Sequence, residues 1–201
     1  MKPKNHIAIF ASGAGSNARK IIEFFQGSPQ AAVSLIVCNK PNAGVLQIAR
    51  DANIPHQLIQ SSDLKEPANL IRVLGEHAIN FIVLAGFLQK IPSGLIQAFP
   101  KAIVNIHPAL LPAYGGKGMY GRHVHEAVIR NADKESGISI HWVDEQYDHG
   151  QIIFQAKCPV LPTDEPEDLA NRLLNWSTNI IPASLPRCCQ IIVKMYCING
   201  K

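Results

Sequence analysis

The chain has 201 residues, 47% of them hydrophobic and 17% charged, which excludes a disordered or fibrous protein and leaves enough chain to bury one core without staples. Its net charge of +4 is scattered, with no basic run interleaved with aromatics, so nucleic acid is not an expected partner and a small anion such as a phosphate ester is. The longest apolar stretches, such as "FIVLAGFL" (81–88), fall well short of the roughly 18 residues of a membrane span, so no membrane partner is expected either.

In chain order, "HIAIF" (6–10) reads as a buried strand, followed by a glycine-rich turn and a helix over about 17–26. The start lacks the apolar core of a signal peptide, and five cysteines without C-x-x-C spacing fit reduced thiols; both point to the cytoplasm. "VSLIV" (33–37) is a second strand, with a helix over 43–52 after it. A weak strand near 56–60 leads to a helix from about 66 to 78, then to the strand "FIVLA" (81–85). A short helix after Pro92 precedes a strand ending at His107. Short continuous apolar strands alternating with helices predict an α/β fold, a Rossmann-like, doubly wound and mostly parallel sheet. After a helix over 121–131 the style changes. "GISIHWV" (137–143) and "QIIFQAKCPV" (151–160), joined by seven residues, read as a hairpin-like, antiparallel C-terminal edge. "TDEPEDLANRLLNW" (163–176) starts a helix with Thr163 as N-cap. No repeat or linker interrupts the chain, so residues 1–201 are expected to form a single domain.

Three stretches are candidates for chemistry. "ASGAGSNAR" (11–19) lies between the first strand and first helix, where free N–H groups favour an anion, and Ser12, Ser16 and Asn17 add donors. Gly13, Gly15 and Ala18 match the dinucleotide fingerprint G-x-G-x-x-A, but the second strand ends in Cys38-Asn39-Lys40, without the acid that binds a ribose. A tight turn, a monophosphate cradle and a dinucleotide site all stay open. Asn105 and His107 share one face at the end of a strand that Pro108 stops, which is where open α/β sheets bind ligands. The pair suits stabilisation of an oxyanion, or else it caps loop carbonyls. Asp144, Glu145 and Asp148 lie in the loop "HWVDEQYDHGQII" (141–153), which is either solvated or lets Asp148 face His107 and tune its proton affinity. A metal set of His141, Asp148 and His149 matches no recognised ligand spacing. "YGGKGMYGRHVHEAV" (114–128) is either a surface loop or a ligand contact. His123 and His125, two apart on a helix, are taken as surface residues.

Taken together, "FASGAGSNA", "VLAGFL", "NIHPALLPAYGGKGMYG" and "KESGISIHWVDEQYDHGQIIFQAKCPV", in that order, resemble the phosphoribosylglycinamide formyltransferase family of folate-dependent enzymes over about residues 6–174. The resemblance implies transfer of a formyl group from 10-formyltetrahydrofolate, as co-substrate, to the amine of glycinamide ribonucleotide in purine biosynthesis. It implies catalytic roles for Asn105, protonated His107 and Asp148, and a phosphate-binding turn at Gly15, Ser16 and Asn17. Leu84, Phe87, Leu88, Asn105, Tyr147 and His149 would line the folate pocket. No metal is implied, and the partners are small-molecule substrates of a monomer or homodimer. The chain departs from the family at Ser177, where a glutamate is usual, and in its cysteine-containing tail. That departure keeps other amines, such as an amino sugar nucleotide, as alternative acceptors. A nicotinamide-dependent oxidoreductase and a folate-binding protein without turnover are the other readings.

Overall fold

The computed structural model describes residues 5–175. Ser177, the cysteine-containing tail and the ends of the expected single domain lie outside the described residues. Seven strands form one sheet: β1 (Asn5–Ala11), β2 (Ala31–Cys38), β3 (His56–Leu58), β4 (Phe81–Leu84), β5 (Ile103–His107), β6 (Glu135–Trp142) and β7 (Ile152–Pro159). Their order is β3-β2-β1-β4-β5-β6-β7. The first five are parallel, and β6 and β7 add an antiparallel edge, as the sequence predicts.

Alternation along the strands builds two cores. Ile7, Ile9, Val83 and Val104 face α1 (Ser16–Phe25), α2 (Gly44–Asp51), α6 (Arg122–Arg130) and a helix α7 that occupies residues 166–175. Phe10, Leu35, Ile82 and Ile103 face α3 (Ser61–Lys65), α4 (Ala68–Glu76) and α5 (Ser93–Ala98). Both faces are covered, which is why β1, β2 and β4 read as largely apolar runs. The chain leaves β1 toward β2 on one side and meets β4 on the other. The crevice of the sheet therefore opens at the carboxyl ends of β1, β4 and β5.

Local chemistry moves some boundaries. The helix expected over 66–78 is α4, with Pro67 as its N-cap, and the separate short helix α3 precedes it in a stretch read as loop. The loop between β6 and β7 has nine residues rather than seven. Thr163 is not the cap of α7: Pro166 takes the first helical position, and Asp168 accepts a hydrogen bond from the Glu165 N–H at 2.9 Å. Buried Asp164 instead accepts from the Leu161 N–H at 2.7 Å and pairs with both terminal nitrogens of Arg172, tying the loop to α7.

Candidate active site

A cavity of about 750 Å³ lies along that crevice. At one end is the turn after β1. Helix α1 begins at Ser16 with Gly15 as N-cap at φ 81°, and no acidic residue occupies its first turn, so the positive end of the helix dipole faces the turn. Gly15 is required there: a Cβ on it would sit 2.8 Å from the Val45 backbone. Gly13 and Asn17 line the cavity, while Gly15 packs behind it and Ser16 opens the helix. Ser12 is a staple rather than an open donor. Its hydroxyl donates to Asn39 at 2.6 Å and accepts from the Leu88 N–H at 3.1 Å, joining this turn to the loop after β4.

That loop supplies an apolar wall. Leu84, Phe87 and Leu88 line the cavity, with Phe87 fixed edge-on against Phe10 at 5.4 Å between ring centres. Tyr147 closes the wall from the β6–β7 loop, with the Lys90 ammonium 5.9 Å from its ring centre. His149 is not brought into the cavity lining: it is exposed, 3.9 Å from Asp144.

Asn105, His107 and Asp148 converge in the same cavity, although Asp148 is 43 residues from Asn105 in sequence. The antiparallel register sets Asn105 opposite His141 and His107 opposite Ser139. The Asn105 amide donates to Asp148 Oδ1 at 3.1 Å and to His141 Nε2 at 3.2 Å. His141 is held in turn by its Nδ1–H, which donates to the Trp142 carbonyl at 2.8 Å. His107 donates its Nε2–H to the Tyr114 carbonyl at 2.8 Å, which leaves Nδ1 facing Asp148 Oδ1 at 3.5 Å. Asp148 adopts φ 53°, and its second oxygen accepts the Gly116 N–H at 3.0 Å.

Burial alone raises the Asp148 carboxyl, but the neighbouring His141 and His107 and the Gly116 N–H outweigh it, so its pKa lies below the ordinary value. For His107 the balance goes the other way. Burial lowers its pKa more than Asp148 and the Tyr114 carbonyl raise it. The site therefore sets a carboxylate against an imidazole whose protonation burial opposes and whose two acceptors, Asp148 and the Tyr114 carbonyl, favour it.

Behind the cluster, buried Ser139 donates to the Ala109 carbonyl at 2.7 Å and accepts from the Leu111 N–H at 3.0 Å. Gln155 donates to the same hydroxyl at 2.8 Å and to the Leu111 carbonyl at 2.9 Å. Tyr114, at φ 55°, is anchored through its hydroxyl by Asp133 and Asn131. These residues hold the segment after His107 so that its carbonyl meets the imidazole. Sequence reasoning missed Ser139 and Tyr114 and considered His141 only as a metal ligand. The one signal available was strand alternation, which puts His141 and Ser139 on a common face. His125, expected on the surface, is buried and lines the cavity, because α6 packs onto the sheet through Val124 and Val128. Among the described residues no group of three His, Cys, Asp or Glu is placed to hold a metal, and no helix is long and apolar enough to cross a membrane.

Residues 5–185 match the family model described as "Formyl transferase". The chain belongs to the formyl transferase family. It is 46% identical over 178 residues to the chloroplastic phosphoribosylglycinamide formyltransferase of Arabidopsis thaliana, covering 86% of this chain and 61% of that protein. The chain thus spans about three-fifths of that relative's length. It is 34% identical over 182 residues to the phosphoribosylglycinamide formyltransferase of Escherichia coli, covering 88% of this chain and 84% of the other. The crystal structure of the Bacillus halodurans phosphoribosylglycinamide formyltransferase superposes with a TM-score of 0.83 at 34% identity, covering 95% of this chain and 97% of that one.

Proposed function

We propose that the chain transfers the formyl group of 10-formyltetrahydrofolate to the amine of 5′-phosphoribosylglycinamide, a step of de novo purine biosynthesis. The observation that carries this reading is the convergence of Asn105, His107 and Asp148 in one cavity with an anion-favouring turn and an apolar wall. The names of the relatives support the same reaction. A nicotinamide site is disfavoured, since Asn39 at the end of β2 is engaged by Ser12 and offers no carboxylate.

In this reading Gly13, Gly15, Ser16 and Asn17 shape the turn that takes the phosphate at the α1 N-terminus. Leu84, Phe87, Leu88 and Tyr147 take the planar ring of the folate. Asn105 redirects one N–H, now donated to His141 or Asp148, to the formyl oxygen as that oxygen gains negative charge. The growing charge adds to that of Asp148 and raises the proton affinity of His107, whose Nδ1 accepts a proton. The acceptor nitrogen forms its bond to the formyl carbon and gives up that proton. Asp148 stabilises the imidazolium, and the proton leaves on the folate nitrogen as the old carbon–nitrogen bond breaks. The protein ends in the protonation state in which it began.

The test is to mix the protein with glycinamide ribonucleotide and a chromogenic 10-formyl folate analogue, and to follow release of the deformylated folate. Release at rates lost in Asp148→Asn supports the reading. Binding of the analogue without release removes this ribonucleotide as acceptor and turns the search to other amines, such as an amino sugar nucleotide. A cytoplasmic location and a monomeric or dimeric state belong to the same proposal, to be read from cell fractionation and from gel filtration with light scattering.

A further inference from the structure

His125 is a buried polar group for which the mechanism above has no use. The residue is 6% exposed, and its Nδ1 is sealed from solvent without a hydrogen-bond partner among the described residues. The ring nevertheless lines the cavity, so the nitrogen left to reach the cavity is Nε2. A buried N–H pointing at no acceptor is left unsatisfied, whereas an N–H that reaches the cavity can find a partner there. The neutral ring therefore keeps Nδ1 bare and carries its hydrogen on Nε2, as a donor directed at the ligand space. Burial and the neighbouring His107 both push the imidazole's pKa down, against a charged ring.

The fold says which half of the cavity this donor serves. Helix α6 packs with α1, α2 and α7 on one face of the sheet, the face of the helix whose N-terminus forms the anion turn. Leu84, Phe87 and Ile91, on the folate wall, belong to the core of the opposite face. Ala170 and Leu173 of α7 line the cavity on the same side as His125, and Lys117 in the glycine-rich segment lines it as well. A neutral N–H donor, a lysine and a helix N-terminus suit the oxygens of a sugar phosphate, not a pteridine.

We propose that His125 is a binding residue for the acceptor substrate, donating its Nε2–H to an oxygen of the ribose phosphate moiety. The proposal rests on the formyl-transfer reading for the identity of the acceptor, but not for the role of His125 as a donor. The uniformly ¹⁵N-labelled chain, observed by long-range ¹H–¹⁵N correlation with His125→Gln as the assignment control, should show the Nε2–H tautomer at His125. Its Nε2 resonance should move when ribose 5-phosphate is added. In calorimetry with ribose 5-phosphate, His125→Leu should bind about tenfold or more weakly than the parent. His125→Gln, which keeps an N–H at similar reach, should recover most of the loss. If the parent turns over, His125→Leu should raise KM for glycinamide ribonucleotide and leave KM for the formyl folate within about twofold. An Nδ1–H tautomer, no binding of ribose 5-phosphate by the parent, unchanged binding in His125→Leu, or a loss confined to the folate KM would each overturn the proposal. Absence of formyl transfer by a parent that still binds ribose 5-phosphate through His125 would overturn the reaction and keep the binding residue.

Discussion

The two ends of the sheet are built on different logic. In the parallel half, from β3 to β4, ligand-facing groups are local in sequence: the 12–17 turn follows β1 directly, and Leu84 to Leu88 follow from β4. In the antiparallel half, from β5 to β7, the working groups come from across the register: Asn105 opposite His141, His107 opposite Ser139, and Asp148 from a loop beyond both. The first half offers backbone and shape, and the second offers titratable groups. Turns that follow a strand are fixed by a few neighbouring residues. Proton-handling groups need neighbours that shift their pKa values, and only packing from distant segments supplies those.

The sharpest way to break the second half is Asp148→Asn, which keeps the shape and removes the charge facing His107. We expect a rate loss of about 10²- to 10⁴-fold in single-turnover formyl transfer with the fold intact by circular dichroism. Next comes Ser139→Ala, which leaves the Leu111 N–H without its hydroxyl partner in a buried site. It should cost about 1–3 kcal/mol in urea unfolding, and the rate should fall as well, because the segment that ends at the Tyr114 carbonyl loses an anchor.

In the parallel half, Gly15→Ala puts a Cβ at φ 81° against Val45. We expect a loss of about 1–2 kcal/mol from the left-handed backbone alone, seen as a lower melting temperature. Weaker binding of inorganic phosphate should accompany it.

A subtler contrast lies in pH. His107 has a lowered pKa in the folded state, so the unfolded chain binds its proton first and stability falls as the pH drops below 6.5. Asp148, also lowered, adds a second loss of stability as the pH falls below 3.8. By NMR titration the His107 midpoint should lie below 6.5, and lower again in Asp148→Asn, where the charge that raises it is gone. The smallest effect is expected at the exposed edge. Lys157→Met removes an ion pair to Glu135 on β6 and should leave the melting temperature unchanged within error.

Periodicity and punctuation decided a good deal by themselves. Largely apolar runs at β1, β2 and β4 require a sheet covered on both faces, and the short spacing of 137–143 and 151–160 requires an antiparallel pair. Pro108 ends β5, and alternation then puts Asn105 and His107 on one face at the ligand edge. These properties follow from interactions within a few residues, which sequence records directly. The partners of those groups were decided by the tertiary structure. A register shift of one residue would turn His141 away from Asn105, and no local pattern fixes the register between β5 and β6 across more than thirty residues. The same holds for His125, whose burial depends on which face of α6 meets the sheet, and for the proton affinity of His107, which burial sets against the pull of Asp148. Secondary structure is a short-range property of the chain, whereas burial and charge proximity arise only once distant segments have packed.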